Sequence, residues 1–254
     1  ITKNERIDFS DKNSFMFKGW QSKNSPILPI VHLEKNEDKT FKLWIHTTSI
    51  AERLTLNSRK SLDIFFEEYE SFPLIDEWHN YLNKDIIEAS KFNIGQTNEA
   101  ISICLDLDSK NEVINWSFHL TKVKCSLVIE NKHLEAILTR KSKTRISSRI
   151  LKPIKEYIED LDKILEIAKD FREKHKSTGK FEIDRKTSNI ESLNELFVHN
   201  PADYVKEYLE PLNNQDINTY LSPILFEANL TWFNHLSHYN LKNASYITQN
   251  LDYL

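Results

Sequence analysis

Two alternating runs joined by a short polar break constrain this chain most. In Ala100-Ile-Ser-Ile-Cys-Leu-Asp-Leu-Asp108, Ile101, Ile103, Leu105 and Leu107 recur at every second position. After Ser109-Lys-Asn, the run Val113-Ile-Asn-Trp-Ser-Phe-His-Leu120 repeats the pattern. A period of two is the mark of a half-buried strand, so the two runs read as an antiparallel hairpin. Phe41-Lys-Leu-Trp-Ile-His46 alternates too, before a polar break at Thr47-Thr48, and Val123 to Ile129 is expected to continue the sheet. From about Ile150 the period changes. Ile154, Ile158, Leu161, Leu165 and Ala168 recur at helical spacing as far as Phe171 and Arg172. Lys174, His175 and Lys176 followed by Gly179 suit a helix C-terminus. Phe181-Glu-Ile-Asp184 is expected as a short strand, and Pro201–Leu209 and Pro223–Leu236 as helices. The chain thus reads as α+β, with mainly antiparallel sheets packed by helices. It is β-rich over 1–135 and mostly helical over 150–254. No repeat or linker divides it, so 1–254 is expected as a single domain.

Composition removes several classes of function. The only glycines are Gly19, Gly95 and Gly179, so no G-x-G-x-x-G or Walker loop can be drawn, and dinucleotide and P-loop chemistry are excluded. There is no G-x-S-x-G elbow or Cys/His nucleophile pattern. Cys104 and Cys125 lie inside apolar β-like runs and read as buried, reduced thiols. No apolar run reaches the roughly 20 residues that span a bilayer, and no signal-peptide pattern opens the chain. A cytoplasmic protein without membrane partners is the expectation. The chain starts at Ile1 rather than Met, which reads as a fragment. Its net charge of −4 gives no overall attraction to nucleic acid, although phosphate binding depends on clustered cations rather than on the total.

Few residue groups offer chemistry. Asp106 and Asp108 would share one face of a strand, as metal ligands or as a solvent-facing strand end before a turn. His235 and His238 share a helix face but lack a third ligand nearby. Asp8 and Asp11 read as structural. The basic stretch from Arg140 to Arg149, with Lys141, Lys143 and Arg145, is either a solvated loop or a loop that follows phosphates.

Four blocks, in order, resemble the catalytic domain of the ribonuclease II family, the RNB domain. Trp44-Ile-His-Thr-Thr-Ser49 resembles W-V/I-H-I-A-D, with Ser49 at the usual Asp. Ile101 to Val113 resembles A-L-S-V-x-V-x-L-D-x-D-G-x-I. Leu161 to Asp184, through Arg172 and Gly179, resembles a helix leading into R-x-x-x-G-A-I-E-I-D. Ser222-Pro-Ile-Leu-Phe-Glu-Ala-Asn-Leu-Thr-Trp-Phe-Asn234 resembles S-R-x-L-V-E-E-x-M-I-L-A-N, with Pro223 at the Arg and Ala228 at one Glu. The resemblance implies an RNB-like fold and hydrolysis of RNA from its 3′ end. Members hold two magnesium ions in a cage that reads I-D, a spacer, then D-x-D-D.

This sequence departs from the family at that cage. Lys18 to Leu33 contains no Asp and no Glu, and the D-x-D-D register falls on Lys23, Asn24, Ser25 and Pro26, with the first aspartate on Phe17 or Lys18. Tyr246-Ile-Thr-Gln249 also resembles Y-R-x-Q with Ile247 at the arginine. The first expectation is therefore a degenerate member that binds single-stranded RNA and needs no cofactor. One alternative is an active Mg²⁺-dependent 3′→5′ exoribonuclease releasing nucleoside monophosphates, with its carboxylates recruited from Asp8, Asp11 or outside this fragment. Another is a protein-interaction scaffold that has lost RNA. No catalytic or metal residue is identified. Phe72 falls near the family's base-stacking Y-L-P tyrosine. Together with Arg140, Lys141, Lys143 and Arg145 it forms the expected RNA-binding set.

Overall fold

The structure, a computed structural model, describes residues 5–18, 28–38, 40–50, 52, 84–140, 149–178 and 217–238. Its centre is a seven-stranded mixed sheet built from β1 (Ile7–Phe9), β2 (Ser14–Phe17), β3 (Ile30–Lys35), β4 (Phe41–Thr48), β5 (Thr97–Leu107), β6 (Val113–Lys124) and β7 (Leu127–Ile129), in the order β1-β6-β5-β4-β3-β2-β7. The four central pairings are antiparallel, and those of β1 with β6 and β2 with β7 are parallel. β1 and β2 are consecutive in the chain, as are β6 and β7. The two outer pairings therefore come from the same two segments, and the sheet curls until its edges meet.

The expected third run divides here. β6 continues to Lys124, the strand breaks at Cys125-Ser126, and β7 joins the opposite end of the sheet order. Ser126 holds the break: its N–H donates to the Ser14 carbonyl at 2.8 Å, and its hydroxyl oxygen accepts from the Ser14 N–H at 3.2 Å.

The expected hairpin is β5–β6. Asp108 shapes its turn by accepting hydrogen bonds from the N–H groups of Lys110 and Glu112, both at 2.8 Å. Asn111 takes a φ of 60°, in the left-handed region where Asn is among the better tolerated residues. Its side chain donates to Asp170 at 2.5 Å, tying the turn to a helix.

Four α-helices are described: α1 (Lys84–Ser90), α2 (Asn131–Thr139), α3 (Ile158–Ser177) and α4 (Asn218–His238). The helical period from Ile154 is realised as a short 3₁₀ turn, Lys155–Tyr157, followed by α3. Glu159 and Asp160 open α3, while Lys174, His175 and Lys176 close it, each sign at the end the helix dipole favours. Its apolar stripe of Leu161, Ile164, Leu165, Ala168 and Phe171 joins Phe15, Phe17, Val31, Leu43, Ile45, Leu105 and Leu107 of the sheet in the main core.

α4 begins five residues before the expected Pro223, which sits inside the helix. Proline there removes one helical hydrogen bond. Burial of Ile217, Leu221 and Ile224 in the main core offsets that loss. The expected elements at Phe181–Asp184 and Pro201–Leu209 lie outside the described residues.

Phe171 of α3 is 1% exposed and belongs to the main core. Phe171→Ala is expected to lower unfolding free energy by about 3–5 kcal/mol, read from a denaturant titration. A loss under about 1 kcal/mol would show that α3 does not carry the core as described.

Candidate nucleic-acid interface

Strand alternation divides β4 between two environments. Leu43 and Ile45 face the helices, whereas Trp44 and His46 face the interior of the curled sheet. Trp44 is a core residue, packed with Phe9 and Cys104, and its indole N–H donates to Glu34 at 3.2 Å. Both cysteines are buried and free.

A buried polar chain that sequence reading did not find runs across the same interior face. His32 Nδ1 and His46 Nε2 lie 2.7 Å apart, His46 Nδ1 is 2.6 Å from the Ser102 hydroxyl, and Ser102 is 2.6 Å from that of Thr121. The two imidazoles stack with the Trp44 ring, the three planes within 10° of one another. Period-two alternation on β3 and β4 was the available signal, since it places His32 and His46 on one face with Trp44.

The two rings cannot both be protonated, and burial favours the neutral form of each. A hydrogen bond between two imidazole nitrogens needs one donor and one acceptor, and protonating both rings would set two N–H groups against each other. Burial drives His32 down to about 3, helped by the charge of Lys12. Burial also holds His46 well below its usual range, with His32 adding to the effect.

The end of β4 places Ser49 at the motif's usual Asp. Its hydroxyl donates to Glu52, which is also paired with Arg6. The Arg6 guanidinium donates further to the Ala100 carbonyl at 3.0 Å and lies 3.6 Å from Glu99. The carboxylates beside this strand end are thus engaged by a cation.

The carboxylate-free segment begins where β2 ends. Phe17 is buried in the main core, and the Lys18 ammonium lies 4.0 Å from Glu130, which also pairs with Lys132 at 2.6 Å. Lys23, Asn24, Ser25 and Pro26 lie outside the described residues.

The other candidates have local roles. Asp106 accepts from Asn115 at 3.0 Å and pairs with Lys42 at 3.8 Å, and Asp108 caps the hairpin turn. Asp8 accepts from the Ser10 N–H at 2.9 Å. His235 packs on Phe118 with ring centroids 4.6 Å apart. Among the described residues, no group of three or more His, Cys, Asp or Glu is arranged to hold a metal ion, and no helix is long and apolar enough to cross a membrane.

Of the expected RNA-binding set, only Arg140 is described. Its guanidinium is paired with Asp162 of α3 and donates to the Ile137 carbonyl at 2.7 Å, so it braces the start of the basic stretch. Phe72, Lys141, Lys143 and Arg145 lie outside the described residues.

The RNB domain family model matches residues 6–251. This chain belongs to the RNB domain family. Among solved structures, it is similar to Mycoplasma genitalium RNase R in complex with ribose-methylated single-stranded RNA. The TM-score is 0.66 and the identity 11%, with 94% of this chain and 34% of that chain covered. RNase R from the same organism in complex with double-stranded RNA gives a TM-score of 0.65 at 11% identity, covering 94% and 39% of the two chains. An active-site mutant of the Dss1 exoribonuclease from Candida glabrata gives 0.52 at 14% identity, covering 69% and 22%. The likeness establishes an RNB-like fold, and this chain spans about a third of the length of the first of these RNase R chains. No curated protein matches the sequence.

The histidine pair makes stability depend on pH in a defined direction. Both rings bind protons more weakly folded than unfolded, where the value is near 6.5. Below that value the unfolded state carries more protons, so stability falls as pH falls. Urea midpoints are expected to drop steadily between about pH 7 and pH 5, each histidine contributing up to ~1.4 kcal/mol per pH unit. His32→Phe should flatten that slope even if it lowers stability at neutral pH, and an unchanged slope would contradict the buried neutral pair.

Proposed function

We propose that this chain is an RNB-like domain that binds single-stranded RNA in the cytoplasm and no longer hydrolyses it. The absence of any Asp or Glu from Lys18 to Leu33, where the family's aspartate cage is aligned, carries the reading. Magnesium is a hard cation held by carboxylate and phosphate oxygens. The residues aligned with the cage offer instead a buried phenyl ring or an ammonium at Phe17 and Lys18, then an ammonium, an amide, a hydroxyl and a proline. The ammonium of Lys18, directed to Glu130, adds positive charge where the family requires negative. This donor set does not fit a divalent cation, and no cofactor is assigned.

RNA as the partner is supported by the family and by RNase R, solved in complex with single- and double-stranded RNA. Neither use requires metal, because base stacking and phosphate contacts do not depend on catalysis. Phe72 is assigned to stacking, and Lys141, Lys143 and Arg145 to phosphates. Arg140 contributes only by leaving Asp162.

Fluorescence titration of single-stranded RNA across a salt series tests the assignment. Binding should weaken as salt rises, and changing Lys141, Lys143 and Arg145 together to Ala should reduce the slope of log affinity against log salt by about 2. Phe72→Ala should cost about 1–3 kcal/mol with the salt slope unchanged. Absence of binding under low salt would overturn RNA as partner and leave the scaffold reading.

A further inference from the structure

Residues 7–13 run past the buried histidine pair as a strap that is held more firmly at its ends than in its middle. At one end the Arg6 side chain, 8% exposed, donates to the carbonyls of Ala100 at 3.0 Å and Thr121 at 3.3 Å. At the other, Ser14 is hydrogen-bonded to Ser126 at the break before β7. Between these anchors β1 pairs with β6 over Ile7–Phe9 alone. Other contacts of the middle lie at the surface: Ile7 is 42% exposed, and the Ser10 hydroxyl meets that of Thr97 at 3.2 Å.

Phe9 is the side chain that the middle of the strap buries. Its ring centroid lies 4.8 Å from that of His32, 4.7 Å from Trp44 and 5.9 Å from His46. With Trp44 and Cys104 it forms a core cluster of three residues, far smaller than the core under α3. A segment with so little buried apolar contact opens at lower cost than the whole fold. The His32–His46 hydrogen bond beneath it survives at most one added proton. The buried His32 Nε2 has no hydrogen-bond partner, so hydration of that atom also rewards opening.

We propose that residues 7–13 are an acid-released strap: Phe9 lifts from the His32–His46 pair as the imidazoles take up protons, with Arg6 and Ser14 as fixed ends. Lifting gives the rings the water that a charged imidazole requires, so protonation and opening favour each other. Among the described residues, the charged and titratable groups around the pair are Lys12 in the strap, Arg6 before it, Glu34 of β3, Cys104 of β5 and His119 of β6. Lys12 opposes protonation of His32. Arg6 is paired with Glu52, and Glu34 accepts from the Trp44 indole N–H. Burial pushes the Cys104 thiol up to about 12, which keeps it neutral. His119 packs on the Trp44 ring at 5.3 Å and bonds to the Ser117 hydroxyl. Asp8 and Asp11 are exposed on the strap.

Hydrogen exchange of the full chain tests this, read by mass spectrometry between pH 7 and pH 5 and corrected for intrinsic exchange rates. Peptides covering Ile7–Phe9 should be less protected than those covering Leu161–Phe171 at every pH, because the strap opens without the core. From pH 7 to pH 5 their protection should fall about 25-fold for each histidine that takes up a proton on opening, given an ordinary value near 6.5. His32→Phe should cut the fall to that of one histidine or less, and His119→Gln should leave it unchanged. Strap and α3 peptides that exchange together at every pH would overturn the proposal, since the strap would then leave only with the whole fold. Wild-type strap protection that ignores pH would overturn it as well. So would an equal fall in His32→Phe, or loss of the fall in His119→Gln.

Discussion

The sheet of this protein depends on two strands being broken in step. Residues 7–17 and 121–129 run side by side, and each is interrupted, the first between β1 and β2 and the second at Cys125-Ser126. The hydrogen bonds between Ser14 and Ser126 hold the two interruptions together, and Lys12 adds to the joint by accepting from both hydroxyls. An open sheet of these strands would expose two edges. Bringing the edges together encloses a small interior on one face of the sheet.

That interior has an unusual content. Where the opposite face meets α3 with Leu, Ile and Phe, the enclosed face carries His32, His46, Ser102 and Thr121 beside Trp44 and Phe9. Buried polar groups must find partners or destabilise the fold, and here the four side chains are linked in sequence, with only the outer nitrogen of His32, Nε2, left without a partner in the chain. The arrangement couples closure and protonation: the His32–His46 hydrogen bond is lost if both imidazoles are protonated, and burial by the closed sheet disfavours protonating either.

Much of the scaffold was legible in the residues. The β5–β6 hairpin, the β4 strand and the α3 stripe follow from periods of two and 3.6, because each segment is long and half-buried. β1, β2 and β7 are three or four residues long, too short to show a period. They become strands through their neighbours. The start of α4 was misplaced because proline punctuates a sequence locally, while the burial of Ile217, Leu221 and Ile224 acts through tertiary contacts. At the candidate site the position is reversed. The lack of Asp and Glu from Lys18 to Leu33 is visible in sequence alone, whereas the engagement of Glu52 and Glu99 by Arg6, the pairing of Lys18 with Glu130 and the bracing of Arg140 by Asp162 join residues distant along the chain.

Under the function proposed above, fold and chemistry separate in this member of the RNB family. The framework blocks build the sheet and its covering helices, and the segment Lys18–Leu33, where the resemblance places the metal ligands, contains no Asp or Glu. A 5′-labelled single-stranded RNA incubated with the protein in Mg²⁺, Mn²⁺ or EDTA and resolved on a sequencing gel tests the separation most directly. Full-length RNA under all three conditions, with a salt-sensitive shift on a native gel, is the predicted result. A metal-dependent ladder shortening one nucleotide at a time from the 3′ end would contradict it, since hydrolysis would then require carboxylates from outside Lys18–Leu33.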